Sequence, residues 1–105
     1  MHLYAVSEVF GWHEGTASAY RYDRQARRLR YINKQPCLGS TSTHCSLDFQ
    51  AERLLVANYG FCPEGEGPDP AFAVFPIRND RGLAPAVASA IHIGSPMCVR
   101  FLPPV

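Results

Sequence analysis

Two stretches of this chain lie over two others about fifty residues downstream, and a chain that repeats on such a period has few folds open to it. Leu3 to Glu8 (LYAVSE) lies over Leu54 to Tyr59 (LLVANY) at an offset of 51 (54 − 3). Ser18 to Asp23 (SAYRYD) lies over Ala73 to Arg78 (AVFPIR) at 55 (75 − 20), and Leu29 lies over Leu83 at 54 (83 − 29), each leucine behind a polar turn. The drift has a visible cause: the connection GFCPEGEGPDP in the second copy is longer than FGWHEG in the first.

Each copy reads as strands joined by turns, and no segment sustains a helical period. In the first copy Leu3 to Val9 is apolar and β-prone, with a turn at His13-Glu14-Gly15. Thr16 to Tyr22 alternates, with Ala17, Ala19 and Arg21 on one face and Thr16, Ser18, Tyr20 and Tyr22 on the other. Asp23 to Arg28 is turn-like, and Leu29 to Asn33 rises into a strand with Leu29, Tyr31 and Asn33 on one side. A helix over DRQARRLRYI is the competing reading, because Arg and Ala favour helix. Gln35 to Thr43 is a loop by its Pro, Gly and hydroxyl content.

The stretch Leu47 to Gly60 (LDFQAERLLVANYG) then supplies a strand end, a turn and a second strand. His44 to Asp48 is the first strand, Phe49 to Glu52 the turn and Arg53 to Tyr59 the second. Gly60 to Pro70 holds three glycines and three prolines in eleven residues and reads as a long exposed loop. Ala71 to Arg78 follows as a strand, with Pro76 marking an outer or irregular place. Asn79 to Gly82 is a turn, and Ala86 to Ile93 is the last β-prone run.

A period near fifty with about four strands per unit is the signature of a β-propeller blade. The expected fold is all-β, a propeller fragment of about two four-stranded antiparallel blades. Residues 1–36 make an incomplete blade lacking its innermost strand, 43–94 a complete one, and 95–105 a divergent tail. The rival is a small two-sheet β domain whose repeat is chance.

Hydrophobic residues make up 47% of the 105 and charged ones 18%, enough for a core and too polar for a membrane protein. Ten basic against nine acidic residues leave a net charge of +1, which makes no field to hold a polyanion. Nucleic acid and membranes are therefore not expected partners. No leader of secretory type and no span-length apolar run is present, so the expected location is the cytoplasm. Cys37, Cys45, Cys62 and Cys98 show no paired spacing, and reduced thiols are expected. The four histidines and four cysteines have no metal-ligand spacing either, so neither a metal nor any other cofactor is expected.

A histidine, serine and aspartate at His44, Ser46 and Asp48, then RLLVANYG, AVFPI and a turn before Gly-Leu resemble the lactonase family of seven-bladed β-propellers, which includes 6-phosphogluconolactonase. LYAVSE resembles that family's LYAVNE, with Ser7 where Asn is usual. The likeness covers residues 3 to 96. It implies a hydrolase of carboxylic-ester type that opens a sugar lactone in carbohydrate metabolism. Two departures accompany it. The family has a further blade and an inner strand ahead of the position of Met1. It also continues beyond His92 and Gly94 through Gly-Pro to a His-x-His segment, where this chain has SPMCVRFLPPV. The departures imply a truncated or frame-shifted member.

Opening a lactone takes a delivered water, a base to activate it, and donors for the oxyanion. The resemblance makes Glu8, His44 and His92 the catalytic candidates, and Asn58 and Tyr59 the substrate-binding ones. Each has a plain structural alternative: Glu8 as a solvated strand end, His44 as a hydrogen-bond partner of a neighbouring blade, Asn58 as a turn cap. Trp12 and Phe10 near His13 could form an apolar lip or simply pack. Arg21, Arg27, Arg28 and Arg30 read as a solvated outer face. The alternative to an enzyme is a non-catalytic propeller fragment or interaction module that self-associates through open sheet edges. A binding module using the Gly60 to Pro70 loop is a third reading.

Overall fold

The computed structural model of the chain describes residues 1–7, 14–37, 39, 41–59, 71–88 and 98–102, with backbone alone at 71, 87 and 88. Its strands are β1 (His2–Val6), β2 (Thr16–Asp23), β3 (Arg28–Pro36), β4 (Ser42–Leu47), β5 (Arg53–Asn58), β6 (Ala71–Pro76) and β7 (Val87–Ala88). One 3₁₀ turn, Asn79–Arg81, separates β6 from β7. The strands form a three-stranded sheet in the order β1-β2-β3 and a four-stranded sheet in the order β4-β5-β6-β7, and all pairings are antiparallel. The all-β expectation therefore holds.

Local chemistry decides the hairpins. Asp23 Oδ1 accepts the backbone N–H groups of Gln25 and Ala26 at 2.9 and 3.0 Å, and Arg27 turns the chain at φ 52. An aspartate bonded to its own downstream backbone is a turn, which is why DRQARR is not a helix despite its propensities. Asp48 does the same between β4 and β5: its Oδ1 accepts from Glu52 and Arg53 at 2.8 and 3.2 Å, with Ala51 at φ 54.

The observed registers carry the repeat. Leu3 opposes Tyr20 in the first sheet and Leu54 opposes Phe75 in the second. Tyr22 opposes Leu29, as Ile77 opposes Leu83. Residues matched by sequence offset thus occupy matched places in the two sheets.

Three details differ from the sequence-based expectation. The β2–β3 register passes from Ala19 opposite Asn33 to Tyr20 opposite Tyr31, so Ile32 is an extra residue in β3. That bulge turns Asn33 to the face opposite Tyr31, not the same one, because an inserted residue resets the two-residue alternation. The loop expected from Gln35 to Thr43 is shorter, since Gln35 and Pro36 still pair with Ala17 and Thr16, and Ser42 already pairs with Asn58. Strand β6 stops at Pro76 because proline has no N–H to continue the ladder, and Ile77 keeps a single bridge to Leu83. Beyond Ala88, the expected run to Ile93 lies outside the described residues, as do Glu8, Val9 and the Gly60 to Pro70 loop.

The core lies between the sheets. Leu54, Val56, Ala73, Phe75 and Leu83 from the second sheet cluster with Ala17, Ala19 and Cys37 from the first, all 1% exposed or less. Tyr4, Val6, Ile32, Cys45, Ile77 and Ala86 close its margin. The two alanines of β2 leave room for Phe75, so small residues on one sheet receive large ones from the other.

Polar ties lock the stack. Asn33 Nδ2 donates to the Leu83 carbonyl at 2.9 Å and Asn33 Oδ1 accepts the Leu83 N–H at 2.9 Å, so one amide side chain stands in for a strand partner. Gln35 Nε2 adds a second donor to the same carbonyl at 3.2 Å. Gly82 beside it has φ +81, and a Cβ there would run into Asn33. At the rim, Asp80 accepts from His2 Nε2 at 3.1 Å and from Arg21 at 3.4 Å. That pair is exposed and contributes little, well under about 1 kcal/mol.

Candidate functional site

One end of the two sheets gathers polar groups that lie far apart in sequence. Strand β1 leaves there at Ser7, β2 enters at Thr16, β4 begins at Ser42 and β5 ends at Asn58. The backbone stitches these ends together. Ser7 N–H donates to Thr16 O at 3.0 Å, Cys37 N–H to Gly15 O at 2.9 Å, Gly15 N–H to Gly39 O at 2.8 Å, and Tyr59 N–H to Thr41 O at 3.0 Å.

Asn58 is the hub. It is 1% exposed, its Oδ1 accepts the Ser42 hydroxyl at 2.8 Å, and its Nδ2 donates to the Cys37 carbonyl at 3.0 Å. A buried amide satisfied on both sides holds the β3–β4 connection onto the end of β5. Gly15 and Gly39 are required by this closeness, since a Cβ on Gly15 would meet Ser42 and one on Gly39 would meet Asn58. In the arrangement described, Asn58 braces the site from within, and its amide is already engaged.

Burial pushes the Cys37 thiol up to about 11, a rise that the Ser42 hydrogen bond only partly offsets and that Glu14 and Cys45 reinforce. Cys37 therefore stays protonated near neutrality, which makes it packing and not a nucleophile. Cys45 is raised as well, again by burial.

His44 sits on β4 opposite Ala57, next to this network, and is half-buried. Its Nδ1 accepts the Val99 N–H at 3.3 Å. A neutral imidazole that accepts at Nδ1 carries its proton on Nε2, so in this arrangement His44 keeps an Nε2–H donor. Tyr59 lies one residue beyond Asn58, half-buried, with its backbone tied to Thr41. His44, Asn58 and Tyr59 are thus brought to one end of one sheet. Glu8 and His92 lie outside the described residues, as do Phe10, Trp12, His13 and Cys62. No group of three or more His, Cys, Asp or Glu side chains converges among the described residues.

Sequence reasoning missed Ser42, Cys37 and the two glycines. A signal was available in the hydroxyl-rich GSTST run, but its reading depends on a bulge. Counting back from Leu47 opposite Leu54 would set Thr43 against Asn58, whereas the register shift between Ser42 and His44 sets Ser42 there.

The sequence model of the lactonase family, a 7-bladed β-propeller, matches residues 1–101. The 6-phosphogluconolactonase of Bacillus subtilis (strain 168) is 32% identical over 92 residues, covering 88% of this chain and 24% of the relative. Among solved structures, the periplasmic gluconolactonase of Pseudomonas aeruginosa aligns with a TM-score of 0.69 and 32% identity, over 84% of this chain and 24% of its own. A protein of Bacteroides fragilis provisionally assigned as a 6-phosphogluconolactonase aligns with a TM-score of 0.64 and 27% identity, over 81% and 21%. The chain spans about a quarter of the length of these relatives. Offset repeat, matched registers and family match agree, and the chain belongs to the lactonase family of seven-bladed β-propellers.

Proposed function

We propose that this chain supplies part of a hydrolase that opens a sugar lactone, of the kind acted on by 6-phosphogluconolactonases. The observation that carries the reading is the 32% identity over 92 residues to the Bacillus subtilis enzyme, joined to the gathering of His44 and Tyr59 at one sheet end. In this reading water attacks the lactone carbonyl, the His44 Nε2–H and the Tyr59 hydroxyl donate to the developing oxyanion, and Glu8 or His92 takes the proton from water. Asn58 positions Tyr59 and the start of β4, and the role of substrate contact falls to Tyr59. The cytoplasm is the proposed location, and fractionation checks it; the Pseudomonas aeruginosa relative is a periplasmic protein.

The test is lactone hydrolysis by the 105-residue chain, followed as acid release from 6-phosphogluconolactone and glucono-δ-lactone against spontaneous opening. The expected result is a rate above the spontaneous one that falls about a hundredfold or more in His44→Ala. A rate equal to the spontaneous one removes the catalytic reading for this chain. A second reading, a non-catalytic module of the same fold, is favoured by the buried Asn58 amide, which bonds Ser42 and Cys37.

A further inference from the structure

We draw no further inference here: the strongest candidate, the hollow at the β2–β3 hairpin lined by Arg24, Arg28 and Arg30 beside Met1, Tyr22 and Leu29, borders a sheet face that a neighbouring blade covers in a complete propeller, and nothing in the structure shows what fills it.

Discussion

Asn33→Ala should destabilise the stack more than any contact area would suggest, because the side chain acts as a strand partner. In the folded chain its amide meets both the N–H and the carbonyl of Leu83 at 2.9 Å. Leu83 is 1% exposed, so removing the amide leaves its N–H buried with no partner, while the carbonyl keeps Gln35 at 3.2 Å. One orphaned buried donor costs about 1–3 kcal/mol. For a domain of this size, about 2 kcal/mol corresponds to a fall in Tm of roughly 10 °C. Asn33→Asp separates the two bonds. Its carboxylate still accepts from Leu83 N–H, but its second oxygen then opposes the Leu83 carbonyl. Only the protonated acid can donate there, so the folded state should raise the pKa of this aspartate above the unfolded value of about 3.9. The sign follows: the folded chain binds the proton more tightly, so the bond is fully present below about pH 3.9 and is lost as pH rises through the folded pKa. Urea unfolding of wild type, Asn33→Ala and Asn33→Asp at pH 4 and pH 7 checks this. The difference between Asn33→Asp and wild type should shrink by about 1 kcal/mol or more at the lower pH. A difference independent of pH, or an Asn33→Ala loss under about 0.5 kcal/mol, would refute the claim that the amide substitutes for a strand.

Two further outcomes follow from the same structure. Gly82→Ala should cost about 1–3 kcal/mol in denaturant titration, since φ +81 disfavours any Cβ and this one would displace Asn33; a loss below a few tenths would mean that the turn relaxes freely. Cys98, which is exposed, should react with iodoacetamide at pH 8 while Cys37, pushed up to about 11 by burial, stays unmodified in intact-mass and peptide mapping. The same raised thiol makes a stability contribution present below its ordinary value near 9 and lost as pH climbs from there to about 11. Labelling of Cys37 as fast as Cys98 in the folded chain would contradict the burial.

What was legible in the sequence was whatever depends on local chemistry and periodicity. Leu3, Tyr20 and Leu29 align with Leu54, Phe75 and Leu83 because each hairpin registers the same apolar positions. Asp23 and Asp48 announce their turns because their carboxylates need only the next few backbone amides. The grouping of His44, Asn58 and Tyr59 at one sheet end was legible for the same reason, since strand pairing alone produces it.

Tertiary structure decided which side each residue faces and which polar atoms remain available. One extra residue, Ile32, sends Asn33 inward to clamp Leu83 and leaves Tyr31 outside. A second register shift sets Ser42 in place of Thr43 against Asn58, so that the buried amide bonds Ser42 and Cys37. A bulge is an extra residue in one strand measured against its partner, so strand alternation within a single segment carries no trace of it. Leu3 and Leu54 are the same residue in the same strand position; one is 41% exposed and the other 1%, because only the neighbouring sheet determines which face is covered.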